Sequence, residues 1–383
     1  MPMDPAPTLS TATPQRVLLF GAVPPPFGGI QAHTVRLLAW LRAQGYDARL
    51  ADMLHRRPGQ ATLSAPEIAP CANSVLAIAR QISQARPDLV HSHVYRWRVT
   101  LALGALAQFG APGGRKPRTV VTVHGTHFFR ILPAPLRPAV AAALRRIDLV
   151  LADNVEMQRY LQEEIGVAAV KTAVAGAFLP PRQDELDPAL LPEDLRRFAA
   201  AHEPFLVSNG AVASHDGADK YGIDLFVAAV AALRAQHPNL GAVFCVTADH
   251  EPARLQRLRA EVTRLGLDGC FRFAEGLPSL LPLVAAADAT VRATNTDGDA
   301  LSIHESLLLG TPAVASDVVT RPPLSRTFRN RDASHLAEAL SAALAGGRLP
   351  AAQVAEVPHA GTAIVGHYRR LLDGATVGAA APR

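Results

Sequence analysis

Short apolar runs recur along the chain, each closed by a polar or glycine-rich turn and followed by helix-length sequence. RVLLFGAV, residues 16–23, is the first; PPPFGG ends it, and IQAHTVRLLAWLRAQGY follows. In that second segment Ile30, Val35, Leu37, Leu38 and Leu41 supply an apolar face, and Gly45 stands where a helix stop belongs. ARLADML, DLVHSHV, TVVTVHG and DLVLADN repeat the short run, with helix-length material between them. This succession of strand, loop and helix is the βαβ rhythm of a parallel sheet.

After DLVLADN the segment NVEMQRYLQEEIG predicts a helix closed by Gly166, and a stretch rich in Pro and acid interrupts the rhythm. Residues 176–192 are therefore expected to be a linker. The pattern then restarts with PFLVSNGAV, the helical DLFVAAVAALRAQH, AVFCVTAD, a helix over residues 252–265, CFRFAEG and ATVRATN. The expected architecture is α/β: two Rossmann-like domains, residues 16–175 and 193–360, facing each other across a cleft. A ligand is expected at the C-terminal ends of the strands. Residues 1–15 and 376–383 are expected to be tails, the first Pro- and Thr-rich with neither the basic start nor the apolar core of a secretory signal.

Composition agrees with two packed cores. The 383 residues are 49% hydrophobic and 19% charged, too apolar for disorder, and only 5% aromatic, so Ala, Leu and Val must fill the interior. No window approaches the roughly 18 uninterrupted apolar residues that a spanning helix needs. Cys71, Cys245 and Cys270 lie far apart with no C-x-x-C pair, which predicts buried thiols and no zinc site or disulfide framework. A cytoplasmic location is the corresponding expectation.

Charge is uneven. Residues 1–190 hold 20 Lys/Arg against 13 Asp/Glu, and no acid lies between Asp88 and Asp148, where Arg96, Arg98, Arg115, Lys116, Arg118, Arg130, Arg137, Arg145 and Arg146 fall. Such a surface would attract an anionic partner. An anionic membrane surface or a lipid-linked acceptor is expected, met by LRPAVAAALRRI, residues 136–147, with the protein peripheral on the inner face of the plasma membrane; nucleic acid is not. A solvated Arg-rich face is the alternative.

The densest chemistry lies in TNTDGDALSIHESLLLGTP, residues 294–312. Asp297-Gly298-Asp299 has the D-x-D form with which some sugar transferases hold a metal. His304 and Glu305, however, are neighbours on a helix and project about 100° apart, so they do not readily close on one ion. Ser302-x-x-Glu305 ahead of three leucines reads as a capping box, with Gly310 and Pro312 ending the helix. A helix start of this kind is also an anion site, because its free N–H groups and dipole favour phosphate.

DGDALSIHE, residues 297–305, with the following SLLLGTPAVASD, resembles the E-x7-E region of the large retaining glycosyltransferase family typified by bacterial mannosyl- and glucosyltransferases, glycosyltransferase family four. The usual form there is E-G-F-G and a helix ending G-x-P-V-V-A-S. Asp297, eight residues before Glu305, stands where the first Glu is expected and is one carbon shorter. Pro-Phe-Gly28-Gly29-Ile30 resembles the family's glycine-rich loop, DLVHSHV its D-x-x-H-x-H strand and TVVTVHG its V-x-T-x-H strand.

The resemblance implies a GT-B fold whose C-terminal helix, residues 361–375, returns to the first domain. It implies transfer of a sugar from a nucleotide diphosphate donor with retention, without a metal or other cofactor. By residue, it gives His124 and Asp297 contact with the transferred sugar, Glu305 the ribose, and Gly28, Gly29, Gly298, Ala300, Leu301 and Ser302 the donor. The family's Arg and Lys-Gly pair matches poorly: Lys220 is followed by Tyr221 before Gly222, and no Arg lies between Asn209 and Lys220. Arg292 would supply the missing charge, unless it forms a surface ion pair. His91 and His93 are expected to be structural, and Asp299 has no expected role.

Two other activities share this fold. A nucleotide-sugar epimerase or hydrolase would turn over donor without acceptor, and a catalytically degenerate protein would bind sugar nucleotides without transfer. A dehydrogenase is disfavoured because PPPFGGIQ lacks G-x-G-x-x-G spacing.

Overall fold

The structure, a computed structural model, describes residues 14–24, 29–54, 65–93, 96–111, 114–124, 129, 132–298 and 300–374. Gly28, Asp299, Arg130, residues 1–13 of the first predicted tail and the whole of the second lie outside them. The chain divides into two compact units. Of the described residues, those within 14–24, 30–175 and 361–374 form the first, and Gly29 with those within 176–360 the second.

The first unit is built on seven strands: β1 (Arg16–Gly21), β2 (Asp47–Asp52), β3 (Ile68–Pro70), β4 (Leu89–Ser92), β5 (Arg118–Val123), β6 (Leu149–Ala152) and β7 (Thr172–Val174). Every pairing is parallel, in the order β3-β2-β1-β4-β5-β6-β7. Strands β4 and β6 are buried at every position, as strands covered on both faces must be. Helices α1 (Gly29–Ala43), α2 (Val75–Ala85), α3 (Trp97–Phe109), α4 (Arg137–Arg146) and α5 (Val155–Glu163) cover the sheet. Two of them start on side-chain caps: Ser74 accepts from the Ala77 N–H at 3.2 Å, and Asn154 from that of Met157 at 2.8 Å. Gly104 lets α3 and α4 touch, since a Cβ there would lie 2.6 Å from that of Ala143.

Arginines of the acid-free span find partners at its borders. Arg115 pairs with Asp88 at 2.6 Å and Arg118 with Asp148 at 3.7 Å, because the strands those acids precede, β4 and β6, flank β5. Exposed pairs of this kind stabilise little, but they neutralise part of the charge that the sequence leaves unbalanced. On α4, Arg137, Arg145 and Arg146 remain exposed.

The second unit carries β8 (Phe205–Val212), β11 (Gly241–Asp249), β12 (Phe271–Glu275), β13 (Ala289–Arg292), β14 (Ala313–Ser316) and β15 (Arg326–Phe328), with a small antiparallel ribbon of β9 (Ser214–His215) and β10 (Ala218–Asp219). The main sheet is parallel in the order β12-β11-β8-β13-β14-β15. Its helices are α6 (Glu193–Ala201), α7 (Ile223–Leu233), α8 (Pro252–Arg264), α9 (Leu281–Ala286), α10 (Leu301–Leu308), α11 (Ala333–Gly346) and α12 (Ala351–Val354). In both sheets the strand order reverses beside the first strand, between β1 and β4 and between β8 and β13. A crevice opens at such a reversal, at the C-terminal ends of the strands.

The last helix, α13 (Ala360–Leu372), returns to the first unit. Tyr368 is fully buried there, with its hydroxyl 2.5 Å from His91 Nδ1 and its ring edge-on to Tyr46. All three cysteines are buried and free. No helix among the described residues is long and apolar enough to cross a membrane.

Candidate functional site

In the second unit the reversal point is fastened by a turn between β10 and α7. Gly222 caps α7 with φ +63°, and a Cβ there would lie 2.1 Å from the Ala293 carbonyl oxygen, so only glycine fits. Tyr221 packs its ring over Gly210 of β8, within 2.4 Å of where a Cβ would stand. The Asn295 N–H donates to the Lys220 carbonyl at 3.0 Å, which ties this turn to the loop after β13. Lys220 Nζ lies 5.6 Å and Arg292 Cζ 5.2 Å from the centre of the Tyr221 ring, so one aromatic side chain carries two cations.

Arg292 ends β13 and turns to Asp297, with Nε 3.1 Å from Oδ2 and Nη2 2.8 Å from Oδ1. Thr294 Oγ1 donates to the same carboxylate at 3.1 Å, as does Arg321 Nη1 at 2.8 Å. Arg321, which belongs to no sequence motif, is fixed in turn by the Ser316 carbonyl at 2.8 Å and Ser316 Oγ at 3.1 Å. Burial pushes the Asp297 carboxyl up, but the Arg292 and Arg321 guanidiniums outweigh it and hold it below the ordinary carboxylate range.

One expectation changes here. The ion pair considered for Arg292 exists, but it is buried, with only 15% of the arginine side chain and 7% of the aspartate exposed. Asp297, expected to face sugar hydroxyls, accepts from arginines at both oxygens, Oδ1 from Arg292 and Oδ2 from Arg292 and Arg321. The pairing uses Nε and Nη2 of Arg292 and leaves Nη1 outside it.

The expected capping box is also absent. Helix α10 begins at Leu301 and its cap residue is Ala300, which has no side chain that could accept a hydrogen bond. Ser302 is the second helical residue and Glu305 lies a full turn inside the helix and buried, so neither reaches a capping position. The uncapped first turn keeps N–H groups that an anion could take. Asn209, Thr290, Arg292, Ser302 and Ser306 border one small, otherwise apolar cavity between the middle of β8, β13 and α10. Behind it His304 stacks on Phe178, with ring centres 5.0 Å apart. Gly298 is exposed in the loop, and Gly29 opens α1, where a Cβ would meet nothing closer than ordinary contact distance.

In the first unit His124 follows β5 directly and lies among other histidines. His93 Nδ1 is 3.5 Å from His124 Nε2, and His33 of α1 joins them from the side, with ring centres 4.8 Å from His93 and 5.2 Å from His124. His91 has both nitrogens engaged, by the Tyr368 hydroxyl and by Thr122 Oγ1 at 2.8 Å, in keeping with a structural role. Burial, reinforced by the neighbouring imidazoles, lowers the pKa of His91 and His93 far below the usual histidine value and that of His124 to about 3. These rings are neutral at pH 7. The structure thus gathers Lys220, Arg292, Asp297 and the start of α10 in the second unit and places His124 in the first. Gly28 and Asp299 are outside the described residues.

Two parallel Rossmann-like sheets in separate units, with a C-terminal helix that rejoins the first, are the GT-B fold of glycosyltransferases. Sucrose-phosphate synthase from Thermosynechococcus elongatus shares it at TM-score 0.65 and 18% identity, over 94% of this chain and 100% of that one. So does the catalytic domain of starch synthase IV from Arabidopsis thaliana bound to ADP and acarbose, at 0.65 and 12%, over 96% and 100%. The Anabaena protein HepE in complex with UDP and glucose follows at 0.61 and 17%, over 92% and 95%. No curated protein matches the chain by sequence. Residues 27–177 match Glycosyltransferase Family 4, and residues 208–345 match Glycosyl transferases group 1. The chain belongs to the family-four-like glycosyltransferases.

Proposed function

We propose that this glycosyltransferase moves a hexose from a nucleotide diphosphate sugar to an acceptor hydroxyl with retention of anomeric configuration, in the assembly of a bacterial polysaccharide or glycolipid. The observation that carries the donor class is the reversal point of the second sheet, where Lys220, Arg292 and the uncapped start of α10 lie together. The nucleotide diphosphates bound by HepE and by starch synthase IV support the same reading.

Charge develops on the leaving diphosphate as the glycosidic bond breaks, and fixed donors aimed at it lower the barrier. We assign this work to Lys220, to Arg292 through Nη1, and to backbone N–H groups of Gly29 and of Ala300, Leu301 and Ser302. Glu305 takes the ribose hydroxyls, and His124 keeps the contact with the transferred sugar that the family resemblance gives it. Gly28 and Gly298 keep their expected place in the donor loops. Asp297 becomes a positioning residue: it orients Arg292 and holds Arg321. Because protein groups meet the diphosphate charge, transfer is expected to survive chelators, with no cofactor.

The acceptor reading rests on the first unit. Exposed Arg137 on α4 lines an open groove together with Glu164 and the apolar surface of Phe129, Tyr160 and Ile165, and exposed Arg145 borders it through its bond to the Ile165 carbonyl, a combination suited to a lipid-diphosphate-linked acceptor on an anionic membrane surface. Sedimentation with vesicles tests it: binding to anionic but not to neutral vesicles is expected, and equal binding to both would contradict the electrostatic part.

The test of the reaction is incubation of the purified chain with a panel of nucleotide sugars and acceptors, with the first product read by proton NMR. The expected product keeps the donor's anomeric configuration and forms only with acceptor present. Donor turnover without acceptor would instead indicate the epimerase or hydrolase, and binding without transfer across the panel the degenerate protein.

A further inference from the structure

The histidine group of the first unit has a property that sugar contact does not use. One ring nitrogen from each of His33, His93 and His124 can be chosen so that all three lie within 4.8 Å of one another. The rings come from three separate elements, the body of α1 and the ends of β4 and β5. No carboxylate or thiolate belongs to the group.

We propose that His33, His93 and His124 form a binding site for a zinc-class divalent cation, held by three imidazole nitrogens with a fourth position open. Nitrogens bound to tetrahedral zinc at about 2.0–2.1 Å stand about 3.4 Å apart, and His93 Nδ1 and His124 Nε2 are already 3.5 Å apart. Closing a separation of up to 4.8 Å to that value requires a shift of up to about 1.4 Å, within reach of side-chain torsions. His93 is 1% exposed and its Nε2 has no hydrogen-bond partner among the described residues, so the ring is not held to its present setting on that side. His124 is partly exposed, which gives an ion a way in.

The chemistry of the donors selects the ion. Imidazole nitrogens suit zinc, copper, nickel and cobalt, whereas magnesium and calcium require oxygen ligands. A ligand imidazole must be neutral to offer its lone pair. His91 supports the site without joining it, since both its nitrogens are engaged and its ring lies against that of His93, with centres 3.9 Å apart. The filled site would withdraw His124 from the sugar, so zinc should inhibit transfer. That consequence rests on the transfer reading, while the existence of the site does not.

Cobalt is the probe, because tetrahedral Co(II) absorbs in the visible. Tag-free full-length chain, stripped with a chelator, should take up one equivalent of Co(II) with ligand-field bands, lose them on addition of Zn(II), and ignore Mg(II). His33→Gln and His124→Gln should each weaken binding by about tenfold or more, and the control His215→Gln, at an exposed position, should not. Zinc-edge X-ray absorption on the wild type needs no variant and should show three imidazoles. Absence of the cobalt bands, wild-type affinity in both variants, or a sulfur neighbour in the absorption spectrum would overturn the site. Zinc that binds with this signature but leaves transfer unaffected would instead refute the sugar contact assigned to His124.

Discussion

Arg292 and Asp297 are joined at two points, Nε to Oδ2 at 3.1 Å and Nη2 to Oδ1 at 2.8 Å, in a pair largely removed from solvent. Arg321 leans on the same carboxylate and is itself only 3% exposed at the side chain. Removing the carboxylate leaves two guanidiniums buried without their counter-charge, whereas an exposed pair would hardly be missed. Asp297→Ala is therefore expected to cost about 3–5 kcal/mol in urea denaturation. A cost below about 1 kcal/mol would mean that the arginines do not depend on Asp297.

Gly222 sets the turn that carries Lys220 and Tyr221. In Gly222→Ala the added methyl would meet the Ala293 carbonyl at 2.1 Å with φ at +63°, and the turn must move away from β13. Nucleoside diphosphate affinity is expected to fall roughly tenfold, a loss of about 1.4 kcal/mol, as read by calorimetry. Unchanged affinity would show that the turn does not position the donor site.

The Tyr368 hydroxyl reaches His91 in the interior of the first unit. Tyr368→Phe keeps the ring and leaves His91 Nδ1 buried without that partner, which should cost about 1–3 kcal/mol. Denaturation of the full chain measures this, and nucleotide binding in the second unit should not change. A loss under about 0.5 kcal/mol would mean that the bond contributes little beyond ordinary packing.

Acid should weaken the first unit by way of its histidines. Burial holds His91, His93 and His124 below the histidine value of about 6.5 that the unfolded chain shows. Below that pH the unfolded chain binds protons that the folded one refuses, so the free energy of unfolding falls as pH falls. The slope is up to about 1.4 kcal/mol per pH unit for each imidazole. Urea midpoints should accordingly be lower at pH 5 than at pH 7.5, and His93→Gln should reduce the difference. Equal midpoints at the two pH values would contradict the neutral cluster.

Much of the architecture could be read from the chain because it depends on local pattern. RVLLFGAV became β1, TVVTVHG became β5 and the predicted helix over residues 252–265 runs Pro252–Arg264. Strands β3, β7 and β15, only three residues long, carry too little pattern to stand out. The site was less legible for a different reason. A capping box is recognised by spacing alone, and the helix start at Leu301 moved Ser302 and Glu305 off register. Arg321 and His33 carry no motif, and they matter only because folding brings Arg321 to Asp297 and His33 to His93 and His124.

Isothermal titration of UDP, GDP and ADP into wild type and Lys220→Ala tests most directly whether the reversal point of the second sheet is the diphosphate site. Saturable binding of at least one nucleotide is expected, weakened roughly tenfold in the variant, since a hydrogen bond to a charged group contributes about 1.5–3 kcal/mol. No binding of any nucleoside diphosphate to wild type, or equal affinity in both proteins, would contradict it.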